Sequence, residues 1–334
     1  MGNDSTLVRE KHKSLYFMDG NVVLLAPRTD NPGMLFRIHK STLAMHSPIF
    51  SDMFGVCNPP RSTGENDDHL YEGVPLIHLS DDADHLGSVL EILYYQSDLP
   101  WMPRSPRYPE LITPILDLLR KYGIARMYAQ IVRHLESDWP QTLNDWDKLE
   151  KEITETKYYS DADRMDDHSP EPAAAIKLAH RFDIPSILPA AFYHLSRLSI
   201  QDDWDKTHTD PSIRHPTKRT AKWGLLSAKD FRCLLLGKAE LADFLRGCIN
   251  PGDLRNSHIV NCRREICDVG GQTWQDILAR CLQSADPLAS LKISAERDHF
   301  PHCSIYAKAL KAKIQVVRAQ IWEKLGDFFH VKDE

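Results

Sequence analysis

The chain has 334 residues and a formal net charge of −6 at pH 7, with 42% hydrophobic and 26% charged residues. This length is enough for two or three domains, and no apolar run approaches the length of a membrane span. The negative net charge excludes a global basic field, so we expect no direct binding to nucleic acid or to an acidic membrane surface.

The N-terminal stretch MGNDSTLVREKHKS is polar and lacks the apolar core of a secretion signal. We predict that residues 1–12 are flexible. MGNDST fits the N-myristoylation pattern at Gly2, although so short a pattern also arises by chance. Seven cysteines spread over the chain suit reduced thiols better than a disulfide framework. We therefore expect a cytoplasmic and/or nuclear protein.

The first predicted elements are two strands that form a hairpin. Within residues 15–26 the run VVLL is apolar on both sides, as in a strand buried on both faces. The sequence Asn31-Pro32-Gly33 is typical of a turn, and a second strand is predicted over residues 34–40.

The period of the sequence changes within residues 35–54, LFRIHKSTLAMHSPIFSDMF. Up to Lys40 the residues follow the two-residue period of a strand, with Leu35, Arg37 and His39 on one side and Phe36, Ile38 and Lys40 on the other, and from Ser41 the apolar residues follow a helical spacing. Ser41 and Ser47 are each candidates for a helix N-cap, and Pro48 suits the first helical position after Ser47. The segment therefore predicts a strand followed by two short helices.

This segment resembles the core signature of the BTB/POZ domain, most closely in the expanded BTB family of mushroom-forming fungi. In that signature a strand ending in His-Lys or His-Arg leads into a Leu-containing helix, a Ser, and an aromatic-Met-Phe close. The corresponding residues here are His39, Lys40, Leu43, Ser47, Phe50, Met53 and Phe54.

The resemblance implies a BTB/POZ domain over residues 13–136 and a homodimer built by apolar helices and the N-terminal hairpin. Many members carry an Asp before the two valines that meets the basic residue after the signature His. Here Asn21 takes that position, although Asp19 is near. A ligand pocket based on that charged pair is therefore not carried over, and Lys40 is interpreted as a solvated or capping lysine.

The remainder of this predicted domain is a strand and three helices. A strand over residues 74–79 follows a loop, and the acidic run Ser80-Asp81-Asp82 begins a helix that ends near Leu93-Tyr94-Tyr95. Tyr108-Pro109-Glu110 fits a pattern that some BTB adaptors use on cullin, but it is common by chance. Residues 111–135 predict a helix pair broken at Gly123.

The helix-pair pattern recurs 60 residues later, since LLRKYGI begins at residue 118 and LAHRFDI at residue 178. Two copies are too few for a solenoid, and they predict two helical hairpins. His134 and His194 occupy equivalent places, and a structural donor is the expected role for a histidine on a half-buried helix.

Between the copies, residues 137–172 are predicted to be a polar, solvated linker in which residues 145–156 can be helical. The alternative is a charged tail for a basic partner. Residues 173–334 predict a helical C-terminal region, with a capping box-like start at Ser227 and Asp230.

The last predicted helix, residues 304–329, has one apolar face, and its cations lie on other faces. Those cations are Lys308, Lys311, Lys313 and Arg318. A basic amphipathic helix can bind membranes or partners, and it can also be a packed terminal helix with a wet outer face, which we prefer.

No Gly-rich phosphate loop, nucleophile elbow or H-E-x-x-H helix occurs in the sequence. A group of cysteines and histidines in the last third is a weak candidate for a structural zinc site. The proposed ligands are Cys262, Cys267, His302 and Cys303, with Cys248, His258 and Cys281 nearby. Against zinc, no C-x2-C pair exists, and cysteine is often simply buried.

The sequence therefore predicts an α+β protein: a small sheet with clustered helices, followed by an all-α region. We expect that the protein is not an enzyme and binds no cofactor. We expect it to be an interaction scaffold that self-associates and recruits protein partners. Two alternatives remain open: a substrate adaptor of a cullin-type ubiquitin ligase, and a transcriptional or chromatin cofactor.

Overall fold

A computed structural model describes residues 9–28, 33–56, 70–95, 102–155, 165–210, 218–249, 270–297 and 304–331. The chain divides into two compact units, which are described separately below. The first comprises Met1–Pro103 and Arg107–His134, and the second comprises Arg104–Pro106 and Leu135–Glu334. The α+β prediction is confirmed, because a mixed five-stranded sheet with helices precedes a largely helical region.

The sheet of the first unit has the strand order β1-β3-β2-β5-β4. Its strands are β1 (Glu10–Tyr16), β2 (Val22–Ala26), β3 (Met34–Ile38), β4 (Leu70–Tyr71) and β5 (Val74–His78). The predicted hairpin is confirmed, since β2 and β3 pair antiparallel, while β5 pairs parallel to β2. β1 pairs parallel to β3 and begins inside the stretch predicted to be flexible.

One face of this sheet buries Val23, Leu35 and Leu76 in a common cluster. The turn between β4 and β5 also reaches the opposite edge of the sheet. Its Glu72 carboxylate lies 2.6 Å from Lys11 Nζ and accepts a 2.6 Å hydrogen bond from the Tyr16 hydroxyl. Because Lys11 and Tyr16 belong to β1, the sheet is strongly curved.

The helices of the first unit follow the predicted order. They are α1 (Lys40–His46), α2 (Pro48–Val56), α3 (Ala83–Tyr95), α4 (Tyr108–Lys121) and α5 (Ala125–Asp138), of which the last four residues belong to the second unit. Gly123 has φ +66°. Ile124 N–H donates to Leu119 C=O at 2.8 Å, so α4 ends in a left-handed turn, as predicted for this glycine.

The second unit contains nine further α-helices among the described residues. They are α6 (Leu143–Glu155), α7 (Pro172–Phe182), α8 (Leu188–Ser196), α9 (Trp204–Thr209), α10 (Ala228–Gly247), α11 (Gly270–Gln283), α12 (Pro287–Glu296), α13 (Ser304–Glu323) and α14 (Leu325–Phe328). An isolated bridge joins Asp203 and Ala221, so the region is largely rather than entirely helical.

Helix α6 agrees with the helix considered for residues 145–156, but its burial differs from the solvated linker predicted for residues 137–172. Trp146, Leu149 and Ile153 are buried, and Trp139 just before the helix is buried too. These apolar residues recur at spacings of three, four and seven on an otherwise charged helix. The high charge of the segment therefore led to a prediction of exposure, although one narrow face of the helix is buried.

The 60-residue repeat is visible in the way two helices end. The C-cap residue of α7 is Asp183, which has φ +56°, and Ile184 N–H donates to Ala179 C=O at 3.0 Å. Asp183, Ile184 and Ala179 lie 60 positions after Gly123, Ile124 and Leu119, which make the same turn at the end of α4. A non-glycine residue in the left-handed region is uncommon, and Asp is among the residues that tolerate it best.

The capping box at the start of α10 is confirmed, since Ser227 Oγ accepts from Asp230 N–H and the Asp230 carboxylate accepts from Ser227 N–H. In the terminal helix, Leu310, Ile314 and Ile321 are buried as expected. The grouping of Arg318 with the outward cations is wrong. Its guanidinium is buried and donates to Asp147 at 2.6 Å.

In the parts of the chain that the structure describes, no helix combines the length and the apolar character needed to cross a membrane.

Candidate functional site

The candidate site is the strand-to-helix segment, residues 35–54, in which β3 leads into α1 and α2. Leu43, Phe50 and Phe54 are buried, and Met53 is half-buried. The Phe50 ring stacks on Tyr122 with a centroid distance of 4.3 Å and on Phe54 at 5.8 Å. The apolar residues of the segment thus form one packed core at the junction.

Ser47 is buried and uses its hydroxyl twice. Its Oγ accepts a 3.0 Å hydrogen bond from Phe50 N–H, which confirms Ser47 as the N-cap of α2. The same hydroxyl donates to the backbone carbonyl of Tyr122 at 2.5 Å. Ser47 therefore caps one helix and fixes that helix to the end of α4.

The predicted N-cap role of Ser41 is wrong. Helix α1 begins at Lys40, and His39 is its N-cap residue without a side-chain cap. Instead, the Asn21 side chain accepts a 2.8 Å hydrogen bond from Lys40 N–H. An amide at position 21 serves this purpose as well as a carboxylate, because the bond needs only an acceptor oxygen.

Lys40 makes no bond from its ammonium to Asn21 among the described contacts. Its Nζ lies 5.8 Å from the centroid of the Phe54 ring, a distance typical of a weak cation–π contact. The lysine stem therefore covers part of the apolar junction.

His39 is fixed from several directions. Its backbone N–H donates to the Tyr94 hydroxyl at 2.7 Å, and its ring Nε2 lies 3.3 Å from the Asp19 carboxylate. The Phe17 ring stacks on Tyr94 at 5.0 Å. Burial is the main cause that raises the pKa of Tyr94, so the phenol stays neutral. These contacts join the end of β3 to α3.

Tyr122 is the residue that sequence reasoning missed at this site. Its hydroxyl donates to Asp81, which also lies 2.6 Å from Lys121 Nζ. Burial, together with Asp81, raises the pKa of Tyr122. Tyr122 follows Ser47 by 75 positions, and the only local signal was that it continues the apolar face of α4 at the C-cap position.

The surface of the segment carries large apolar side chains. Met45 on α1 is 74% exposed and Ile49 on α2 is 44% exposed. Met18, in the turn before β2, is 81% exposed. We refer to Met45 and Ile49 together as the α1–α2 surface. The exposed face of the segment therefore combines these apolar side chains with the exposed polar residues Ser41, Ser51 and Asp52.

The weak zinc candidates Cys262, Cys267, His302 and Cys303 lie outside the described residues, as do His258 and Gly2. Cys281 is buried, which raises the pKa of its thiol to about 12. Burial also raises the pKa of Cys248. Within the described ranges, no group of three or more metal-ligating side chains could hold an ion. The zinc site stays a prediction.

Two other sequence candidates are buried. Tyr108 and Pro109 lie in the first turn of α4 with their side chains inside, so the cullin-like pattern does not present its apolar residue on the surface. His194 is buried, and its Nδ1 accepts a 2.6 Å hydrogen bond from Arg197. It is thus a structural acceptor rather than the expected donor.

No family model matches this chain, and no curated protein matches it either.

Proposed function

We propose that the chain is a BTB-type interaction protein. Its domain over residues 13–136 self-associates, and its helical region over residues 173–334 recruits partner proteins, without catalysis by this chain. The observation that carries the proposal is the junction at His39 and Lys40, where a buried strand passes into two short helices with the BTB-like residues packed together.

The arrangement of those residues supports a scaffold role. Leu43, Phe50 and Phe54 face one core, and Ser47 fixes α2 to the end of α4. Such a junction holds α1 and α2 rigidly. Their outward apolar side chains are then presented in a defined geometry, which favours association over a flexible contact.

The α1–α2 surface supplies apolar area for a second copy. The BTB resemblance implies a dimer through apolar helices and the hairpin. Met45 and Ile49 are exposed on α1 and α2, and Met18 is exposed in the turn that precedes the hairpin. A dimer would place two C-terminal regions close together and raise their effective concentration on a shared partner.

Light scattering of the full chain tests this proposal. We expect a dimer at micromolar concentration, and a monomer for the double variant Met45→Glu, Ile49→Glu, because two charges would be buried without partners. The matched control is Ile293→Glu, Val316→Glu, which changes two similarly exposed residues of the second unit and leaves the dimer intact. A monomeric wild-type chain, or a dimer unaffected by the first variant, contradicts the proposal.

A cullin adaptor is a second candidate, favoured by the helical hairpin α4–α5 that follows the sheet. A pull-down of the full chain with a cullin tests it. If both the wild-type chain and a Glu110→Lys variant retain cullin, the candidate is supported. Cullin would then bind without using the Tyr108-Pro109-Glu110 pattern, in which Tyr108 is buried. The absence of retained cullin would exclude this candidate.

A further inference from the structure

A cleft of about 330 Å³ lies within the second unit. One wall is α10, and the other is the end of α11 with the loop that leads to α12. Its volume is at the lower end of the range for small-molecule sites, and the cleft is partly open to solvent. Of the described residues that line it, one is a cation and none is a carboxylate.

The floor of the cleft is apolar. Leu241, Leu245 and Cys281 line it and are 5%, 1% and 1% exposed. Burial raises the pKa of the Cys281 thiol to about 12, so this sulfur stays protonated and behaves as an apolar group. A ligand seated here therefore needs an apolar body.

Four polar side chains line the cleft, and two of them are serines whose hydroxyls donate to backbone carbonyls: Ser196 to Tyr193 and Ser284 to Asp286. The other two, Lys238 and Gln283, are exposed, and neither makes a hydrogen bond or ion pair with another described residue. Asp286 adjoins the lining, but its carboxylate accepts from the Tyr193 hydroxyl at 2.7 Å and from Arg197 at 2.6 Å. Since Asp286 is engaged elsewhere, the positive charge of Lys238 is not neutralised from this loop.

We propose that this cleft binds a small apolar carboxylate, such as a short fatty acid. The apolar tail lies on Leu241, Leu245 and Cys281, and the carboxylate accepts hydrogen bonds from the Lys238 ammonium and the Gln283 amide. A cation with an amide donor favours an anion over an alcohol of equal size, because charge-assisted hydrogen bonds are the stronger ones. This site is separate from the strand-to-helix segment and does not depend on self-association.

Calorimetric titration of the full chain with octanoate tests the site, with 1-octanol and octylamine as comparison ligands. We expect octanoate to bind with a dissociation constant below about 1 mM, in keeping with the efficiency of small ligands. We expect 1-octanol to bind about tenfold more weakly. Octylamine should not bind, because its ammonium would meet Lys238.

Variants separate the site from adventitious binding. Lys238→Gln should weaken octanoate binding about tenfold, whereas Lys238→Arg should retain it. The control Lys311→Gln removes an exposed lysine of α13 and should change nothing. Ala242→Trp should fill the cleft and abolish binding, with the melting temperature of the variant showing whether it folds. Equal binding of octanoate and octanol, or wild-type affinity in Lys238→Gln, overturns the proposal.

Discussion

Ser47 carries two hydrogen bonds at the centre of the strand-to-helix segment, and its removal tests that role. We expect Ser47→Ala to lower the free energy of unfolding by about 1–3 kcal/mol, because α2 loses its cap and the Tyr122 carbonyl loses a buried donor. Urea denaturation measures this. The control Ser51→Ala, at an exposed position one turn later, should lie within about 0.5 kcal/mol of wild type.

This residue shows what sequence can and cannot supply. The Ser-Pro pair predicted the cap of α2, because capping is a local hydrogen bond within four residues. The second bond of Ser47, to Tyr122, is a contact across 75 positions, and no local pattern encodes it. The same holds for Asn21, which caps α1 from the hairpin in place of the locally predicted Ser41.

Asp138, at the end of α5, gives the stability of the second unit a pH dependence. The residue is 5% exposed, and its Oδ1 accepts a 3.0 Å hydrogen bond from Arg104 N–H. Burial raises the pKa of this carboxyl from 3.8 to about 7, against the smaller opposite effect of Arg104. Because the folded state holds the proton more tightly than the unfolded state, stability falls as the pH rises from about 4 to about 7.

We therefore expect the effect of Asp138→Asn on the free energy of unfolding to be more stabilising at pH 8 than at pH 5. Asparagine stays neutral and can still accept from Arg104, so the cost of burying a charge disappears only where the wild-type residue is ionised. The difference in ΔΔG between the two pH values should be about 1–3 kcal/mol. Urea denaturation at both pH values measures it. A ΔΔG that does not change with pH would contradict the assignment, and the exposed control Asp243→Asn should show little change.

At the scale of elements, α10 and the C-terminal turn meet at a glycine. A Cβ atom placed on Gly237 would lie 2.0 Å from Cδ1 of the Phe329 ring, which is fully buried. We expect Gly237→Ala to destabilise the protein by about 1–3 kcal/mol or more, because the ring must move out of a filled core.

Gly247 is the matched control for that substitution. It lies on the same helix, and a Cβ atom there would meet nothing within 4 Å. Gly247→Ala should therefore be neutral or slightly stabilising, since alanine favours helix. Thermal unfolding of both variants measures the contrast. If the two alanines have equal effects, helix propensity rather than packing against Phe329 determines the outcome.

Elements with strong apolar periodicity were predicted from the sequence, and those without it were not. The hairpin β2–β3 and the helices α3 to α5 have clear apolar faces. β1 has the sequence EKHKSLY and is exposed at most positions, so no apolar pattern indicated a strand there. Its strand conformation depends on pairing with β3. A helix at the position of α6 was considered, but its burial was not predicted, because its buried face has only three residues and the surrounding charges dominated the composition.

At the scale of the whole chain, the second unit contains a charge cluster that joins helices far apart in sequence. Arg197 makes two 3.0 Å hydrogen bonds to the two carboxylate oxygens of Glu150 and a 2.6 Å bond to Asp286. Arg219 also lies 3.0 Å from Glu150. Two cations and two carboxylates thus neutralise one another while linking α6, the end of α8, residue 219 and the start of α12.

Glu150 tests how much this cluster contributes, because it contacts both arginines. Burial raises its pKa, but Arg197 and Arg219 lower it more, so the folded pKa lies below the ordinary 4.5. The stability that this carboxylate contributes is therefore present above about pH 4.5 and is lost as the pH falls below that value. This window and its sign both differ from those of Asp138.

We expect Glu150→Gln to cost about 3–5 kcal/mol at pH 7, because the largely buried Arg219 would lose the carboxylate that it contacts, whereas Arg197 would keep Asp286. The cost should shrink below about pH 4.5, because the unfolded wild-type chain takes up a proton at Glu150 there while the folded chain holds the carboxylate ionised. The control Glu152→Gln lies on the same helix, is 62% exposed and contacts Arg104, and it should cost less than about 1 kcal/mol. Urea denaturation from pH 3.5 to 7 distinguishes the two. Equal costs for both variants would mean that the cluster is solvated and holds the second unit together no better than a surface ion pair.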